Sequence, residues 1–375
     1  ALDAVAEASD ALGGATPDLA LVFVNGADHA VVEAALQLAA ERLGAGTTVG
    51  CTGYGVLAAG RAAEDTVAVS VWAAVLPGAR LRSFHLEVLR TADSIAVVGL
   101  PTLRTDDVVG IALADPWTFP ADSFVAGSAR ALDGLPLVGG LAHGARGAGS
   151  VRLLVDGRVV ERGAVGVLVG GPVDARAVVS QGCRPVGPPM TVTAAEGNIL
   201  LELAGAPAVD KLHQVVESLP PEDQELAARG LQVGIALDEY LEDPGQGDYL
   251  VRGVVGVDRD RGGLAVGDLV DVGRTVRFQV RDAAAASADL RTVLARFRAE
   301  ADSATDPPAG ALLFSCNGRG RALFGSADHD VQMVGSVLGT PAVGGFMASG
   351  EIGPVAGRNH LHGQSATVLA FGGGR

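Results

Sequence analysis

"TPAVGGFMASG", Thr340 to Gly350, is the stretch whose reading decides the fold. Glycine inside a strand normally costs stability, so a Val-Gly-Gly step in an apolar run marks a place where another backbone or a ligand comes close. The same step stands in "LPLVGGLAHG" (Leu135–Gly144), and a Val-Gly-Cys version in "TTVGCTGYG" (Thr47–Gly55).

Working outward, each step occupies the same place in a longer plan: an apolar strand-like run, a helix, the glycine step, and a further strand. The first copy has "LALVFV" from Leu19, a helix from about Asp28, and "DTVAVSVWAAVL" from Asp65. The second has "DVVGIAL" from Asp107, a short helix near Ser123, and "GAVGVLV" from Gly163. The third has "GALLFS" from Gly310, a helix from about Asp328, and "QSATVLAFG" from Gln364. Leu21 to Val49 spans 28 residues, Val109 to Val138 29, and Leu313 to Val343 30, a regularity that argues for internal repetition. "ADH" opens both the first and third helices, where Asp28 and Asp328 are placed to cap the free amides of a first turn.

Between the second and third copies, "ILLEL" lies between the turns "EGN" and "AGAP", and Pro207 can begin a helix to about Leu219. A domain boundary is expected there, giving domains 1–219 and 220–375. Tyr249 to Asp282 alternates in short runs and predicts an antiparallel meander. The following segment predicts an amphipathic helix with Leu290, Val293, Leu294 and Phe297 on one face. The predicted fold is therefore α/β, with two domains of mixed β-sheets flanked by helices and internally repeated units. An αββα sandwich is one arrangement compatible with it.

Composition narrows the function. The chain has 375 residues, 48% hydrophobic and 19% charged, so it is too apolar for disorder, and no apolar run is long enough to span a bilayer. No basic leader followed by an apolar block opens the sequence, so no secretory signal is expected. A net charge of -15 without a basic stripe excludes nucleic acid as an expected partner. Cys51, Cys183 and Cys316 are far apart, odd in number and without a CxxC pair, which predicts neither a disulfide framework nor a structural zinc and fits a reducing cytoplasm.

The whole chain resembles the FIST family, named for F-box and intracellular signal transduction proteins. The likeness rests on "PDLALVFV", "VGCTGYGVL", "PLVGGLAHG", "VSQGCRPVGPPMTVTAAEGNILLELAGAPA", "YLVRGVVGVD", "SCNGRGRALFG" and "VGGFMASGEIGPVAGRNHLHG", in that order. It implies an amino-terminal and a carboxy-terminal FIST domain and a sensory module that binds a small ligand, with amino acids as the suggested class. No kinase, receptor or F-box segment stands in the sequence, so the expected signal passes through a separate signalling protein.

The loop "SCNGRGRALFG", Ser315 to Gly325, admits several chemistries. Cys316 could be a nucleophile if His329, His360 or His362 came near, which keeps a thiol-dependent or hydrolytic enzyme as one alternative and a protein-interaction scaffold as another. A phosphate loop is excluded, because the only lysine is Lys211, far from any glycine-rich loop. His360 and His362 alternate in "NHLHG", but a pair alone does not make a metal site, and neither metal nor cofactor is expected. Recognition remains. Arg319 offers a two-pronged donor for a carboxylate, with Gly318 and Gly320 letting amides approach, and Glu351 in "ASGEIGP" can balance an ammonium. The expected site is non-catalytic and consists of Cys316, Asn317, Gly318, Arg319, Gly320, Glu351, Asn359 and His362, with Phe346 as a wall and Tyr54 or His143 joining from the first domain. Arg319 pairing with Glu351 or Asp330 is the competing reading.

Overall fold

Strand Leu19–Asn25 alternates two apolar faces and so is covered on both sides. Leu19, Leu21 and Phe23 point into a central core, while Ala20, Val22 and Val24 meet helix His29–Leu43 through Val32, Leu36, Ala39, Ala40 and Leu43. Those helix positions recur every three to four residues and form one stripe. Asp28 accepts the amides of Ala30 and Val31 at the start, and Gly44 ends the helix in the left-handed region at φ 58°. The following strand, Thr47–Thr52, returns parallel to the first, and strand Ala68–Ala74 lies antiparallel on its other side.

The computed structural model describes residues 1–91, 95–144, 147–242, 244–300 and 307–372. It forms two compact units that do not follow chain order: a larger one of Ala1–Val179, Arg291–Leu361 and Ser365–Arg375, and a smaller one of Ser180–Leu290 and His362–Gln364.

The larger unit repeats the arrangement three times. In the second copy, Asp107–Ala114 pairs parallel with Leu137–Leu141 across helix Ala121–Ala131 and antiparallel with Ala164–Gly170. In the third, Gly310–Cys316 pairs parallel with Val343–Ala348 across helix His329–Leu338 and antiparallel with Ser365–Phe371. Inner faces from all three sheets, including Leu21 and Phe23, Ile111 and Leu113, and Leu312 and Phe314, build one core. Its centre holds an aromatic trio: Phe23 stacks on Phe346 with ring centroids 5.0 Å apart, and Phe314 meets both edge-on. Three sheets around one core thus take the place of a two-sheet αββα sandwich.

After its inner strand each copy extends a hairpin, and the hairpin joins a different copy's sheet. The first hairpin, Gly55–Ala58 and Arg61–Ala63, pairs with Val343–Ala348 of the third copy. The second, Leu153–Val155 and Arg158–Val160, pairs with Thr47–Thr52 of the first. The third places Glu351 and Ile352 opposite Gly140 and Gly139 of the second. The exchange closes in a cycle.

The recurring glycines explain themselves in this setting. Gly50, Gly139 and Gly345 lie opposite Val22, Ala112 and Leu313 in the parallel pairs. At each, an added Cβ would fall far inside contact distance of that partner's carbonyl oxygen. Structural equivalence therefore aligns the second glycine of "VGGFM", not the first, with Gly50 and Gly139. The "ADH" echo also divides: Asp328 caps no amide of its own helix and instead accepts the Ala62 amide of the first hairpin at 2.7 Å.

In the smaller unit the expected meander goes further and closes on itself. Thr275–Arg281, Met190–Glu196, Ile199–Leu203, Gly263–Val266, Tyr249–Asp258 and Leu231–Ala236 pair antiparallel in that order, and the last returns to the first. Closure removes most of the free sheet edge. Val192, Leu203, Val233, Leu264, Val266 and Phe278 are among its fully buried core residues.

Candidate functional site

Each inner strand of the larger unit runs two or three residues past its crowded glycine and then ends. Thr52, Leu141 and Met347 are the last carbonyls of equivalent rank, and Tyr54, His143 and Ser349 follow two residues later. The three turns are tied head to tail. The Tyr54 amide donates to Met347 O at 3.0 Å, the His143 amide to Thr52 O at 3.0 Å, and the Ser349 amide to Leu141 O at 2.9 Å.

This ring of backbone bonds brings one side chain from each copy to a single place. The Tyr54 ring stands edge-on to the His143 imidazole with centroids 5.2 Å apart, and His143 Nδ1 lies 3.0 Å from Ser349 Oγ. Tyr54 and His143 are half-buried and Ser349 is exposed, so the cluster meets solvent. Burial lowers the His143 pKa below its ordinary 6.5, which leaves the imidazole neutral at neutral pH. Sequence reasoning named Tyr54 and His143 but missed Ser349, an uncharged residue in a turn; its rank after the crowded glycine is the signal that finds it.

Beside Ser349 lies the loop after strand Gly310–Cys316. Cys316 pairs with Ala348, and the Asn317 amide donates to Ala348 O at 2.8 Å. Asn317 and Gly318 are half-buried, whereas Cys316 is buried with its Sγ 3.7 Å from Asn317 Oδ1. Arg319 is fully buried. Its Nε and Nη2 donate to Asp330 Oδ2 and Oδ1 at 2.6 and 3.0 Å, so the two-pronged donor is held by a carboxylate of the protein itself. Burial would raise the Asp330 pKa, but the Arg319 charge and donors from His329, Arg319 and Ser315 outweigh it and hold the carboxyl well below its usual range.

Glu351 is also fully buried. Its Oε2 accepts the Ser365 amide and hydroxyl at 3.1 and 2.7 Å, and its Oε1 has no bond of hydrogen-bonding geometry. Burial raises its pKa to about 8, against the opposing pull of Ser365, the Arg319 charge and the Cys316 thiol. The carboxyl is therefore mostly protonated at neutral pH. Unfolding above the ordinary value of 4.5 releases that proton, so the Glu351 contribution makes stability fall as pH rises toward about 8. The steepest slope is about 1.4 kcal/mol per pH unit. Thermal unfolding across this window should show a flatter profile in Glu351→Gln than in the parent; equal slopes would remove Glu351 as the cause.

The remaining candidates are dispersed. Gly320 opens the short helix Gly320–Phe324, where an added Cβ would collide with the Glu64 carboxylate that accepts the Arg321 amide at 2.9 Å. Asn359 ties the third hairpin to the second copy: its Nδ2 donates to Ser128 Oγ and Leu135 O, and its Oδ1 accepts the Leu137 amide. Phe346, expected as a pocket wall, is instead fully buried in the aromatic trio, because the odd positions of its strand face the sheet's other side. His362 ends strand Arg358–His362, is buried, and groups with the smaller unit.

Comparison with known proteins agrees with the sequence. Residues 18–206 match the FIST N domain and residues 208–354 the FIST C domain. The chain is 43% identical over 374 residues to an uncharacterized protein of Mycobacterium tuberculosis strain CDC 1551, covering 99% of this chain and 95% of that one. It is 40% identical over 371 residues to an uncharacterized protein of Mycobacterium bovis, with the same coverage. The chain thus belongs to the FIST family, whose domains generally serve as sensory modules in signal transduction.

Proposed function

We propose that this protein is a non-catalytic sensory protein of intracellular signal transduction that binds a small ligand, a free amino acid or similar small carboxylate, where Tyr54, His143 and Ser349 meet. The observation that carries the reading is the convergence of those three side chains, one from each copy, on a rigid ring of backbone bonds at the surface of a sealed core. Rigid elements that present a few convergent polar groups are what small-molecule recognition requires. Asn317 and Gly318, on the adjoining loop, supply further polar contacts, and Arg319 ties that loop to Asp330.

Three buried cysteines, none in a disulfide, fit a reducing cytoplasm, and no helix among the described residues is long and apolar enough to cross a membrane. The ligand state passes to a separate signalling protein. Calorimetry of the intact protein against the common amino acids and small carboxylates should find a binder, and Tyr54→Ala should weaken it about tenfold by removing one wall and one hydroxyl. Silence across that panel removes the reading. A hydrolytic alternative has its best geometry at His143 and Ser349 rather than at buried Cys316; labelling of Ser349 by a serine-directed fluorophosphonate would favour it.

A further inference from the structure

The loop that adjoins the three turns is also fastened from the first copy. The first hairpin ends at Ala63, and the next residue, Glu64, is buried. Its Oε1 accepts the Arg321 amide at 2.9 Å, at the start of helix Gly320–Phe324, and its own carbonyl accepts Asn25 Nδ2 at 2.6 Å, at the end of the first copy's leading strand. Glycines show how closely this residue is seated. A Cβ on Gly55, the residue after Tyr54, would stand 2.8 Å from Ala63 O, 2.9 Å from Met347 Sδ and 3.1 Å from Glu64 Cα. A Cβ on Gly320 would strike Glu64 Oε1 and lie 2.6 Å from Met347 Cε. Met347 is also the residue whose carbonyl takes the Tyr54 amide. The Tyr54 turn and the start of the short helix therefore abut the same two residues, Glu64 and Met347.

We propose that Glu64 is a positioning residue of the ligand site, a clasp that holds the Asn317–Gly318 loop in register with Tyr54. The inference rests on the ligand site proposed above. Other ties of the loop stay within the third copy: the Asn317 amide to Ala348 O, the Arg319 amide to Cys316 O, and the Arg319 pair with Asp330. The bond from Arg321 to Glu64 joins the loop to the copy that carries Tyr54. On that side the register is passed on by the hairpin itself, in which Val56 lies opposite Ala63. Polar groups on a loop serve recognition only when held within about 0.5 Å of their productive place, and a buried carboxylate bonded to the loop's trailing amide supplies that restraint.

NMR titration of the intact protein with acetate and with glycine, read at Tyr54 and Gly318, tests this together with amide hydrogen exchange. Glu64→Ala removes the acceptor, whereas Glu64→Gln keeps an oxygen that can take the Arg321 amide. Gly320→Ala attacks the same bond from the other side: its Cβ meets the ends of two flexible side chains, so the carboxylate gives way while the backbone stays. Glu64→Ala and Gly320→Ala should each weaken the probes at least about fivefold, the share of one ordinary hydrogen bond, and Glu64→Gln should bind like the parent. The two weakening variants combined should be no worse than either alone, because they break one bond. Exchange of the Asn317 and Arg321 amides should quicken while that of Leu313, within the strand, is unchanged. A merely structural role would quicken Leu313 as much as Asn317, and that result overturns the proposal. Parent-like affinity in Glu64→Ala, or equal losses in Glu64→Ala and Glu64→Gln, also overturns it and leaves the ligand site standing. If Glu64→Ala does not fold, Gly320→Ala decides by the same readings. If neither probe moves the Tyr54 and Gly318 signals of the parent, the ligand site itself falls and this inference with it.

Discussion

Arg319→Met is expected to destabilise the folded protein by about 3–5 kcal/mol, because it strips the partner from a carboxylate that has no route to water. Asp330 is buried, and its Oδ2 serves Arg319 Nε and Ser315 Oγ while its Oδ1 serves Arg319 Nη2 and His329 Nδ1. Loss of the guanidinium removes two of these donors and a permanent positive charge. The Arg319 side chain also covers the Phe324 ring, its guanidinium carbon 5.3 Å from the ring centroid, and Phe324 stacks on His329. Urea unfolding of the variant should therefore show a lower midpoint. Arg319→Met with Asp330→Leu should recover much of the loss, since removing both charges leaves none stranded. A single variant within about 1 kcal/mol of the parent would mean that the pair contributes little to folding. This expectation also separates stability from recognition: a fully buried, bidentate arginine acts first on the fold, and a binding defect in Arg319→Ala would have to be read against its loss of stability.

The second large effect is expected at Gly139. Its φ of 138° lies in a region that L side chains rarely adopt, and a Cβ there would be driven into the Ala112 carbonyl. Conformational strain and overpacking act together, so Gly139→Ala should cost about 3 kcal/mol or more. Gly127 provides the internal control. It lies within helix Ala121–Ala131 with nothing close to its would-be Cβ, and Gly127→Ala should be neutral or stabilising by up to about 1 kcal/mol. Comparable melting temperatures for the two variants would contradict the crowding argument.

Much of this fold was legible because its signals are local. Apolar alternation in "LALVFV", the cap at Asp28 and the stripe of Val32, Leu36 and Leu43 each depend on residues a few positions apart. The strand-helix-strand plan follows from them, and so do the crowded glycines as a class. What could not be read is which backbone crowds each glycine, because that is fixed by the parallel register of strands about thirty residues apart. The same limit explains the two "ADH" segments: one aspartate caps its helix, whereas the other serves an amide 266 positions away. At the site, Arg319 and Glu351 stood out as charges among glycines, and charge identity alone does not tell a ligand donor from an internal ion pair. Ser349 had no chemical prominence at all. It becomes visible only when three turns are superposed.

The cyclic exchange of hairpins has a consequence for biosynthesis. The third copy begins at Gly310, so both other copies and the strands of the smaller unit leave the ribosome before that copy does. Until then the Gly55–Ala58 hairpin of the first copy has no strand to join, and Leu137–Leu141 of the second copy has an unfilled edge. Unpaired edges invite pairing with other chains, and contacts of such long sequence separation form slowly. The smaller unit, inserted between the second and third copies, can close its barrel in the interval, since its strands lie between residues 183 and 281. The smaller unit is thus able to fold first, while the first two copies wait for the third.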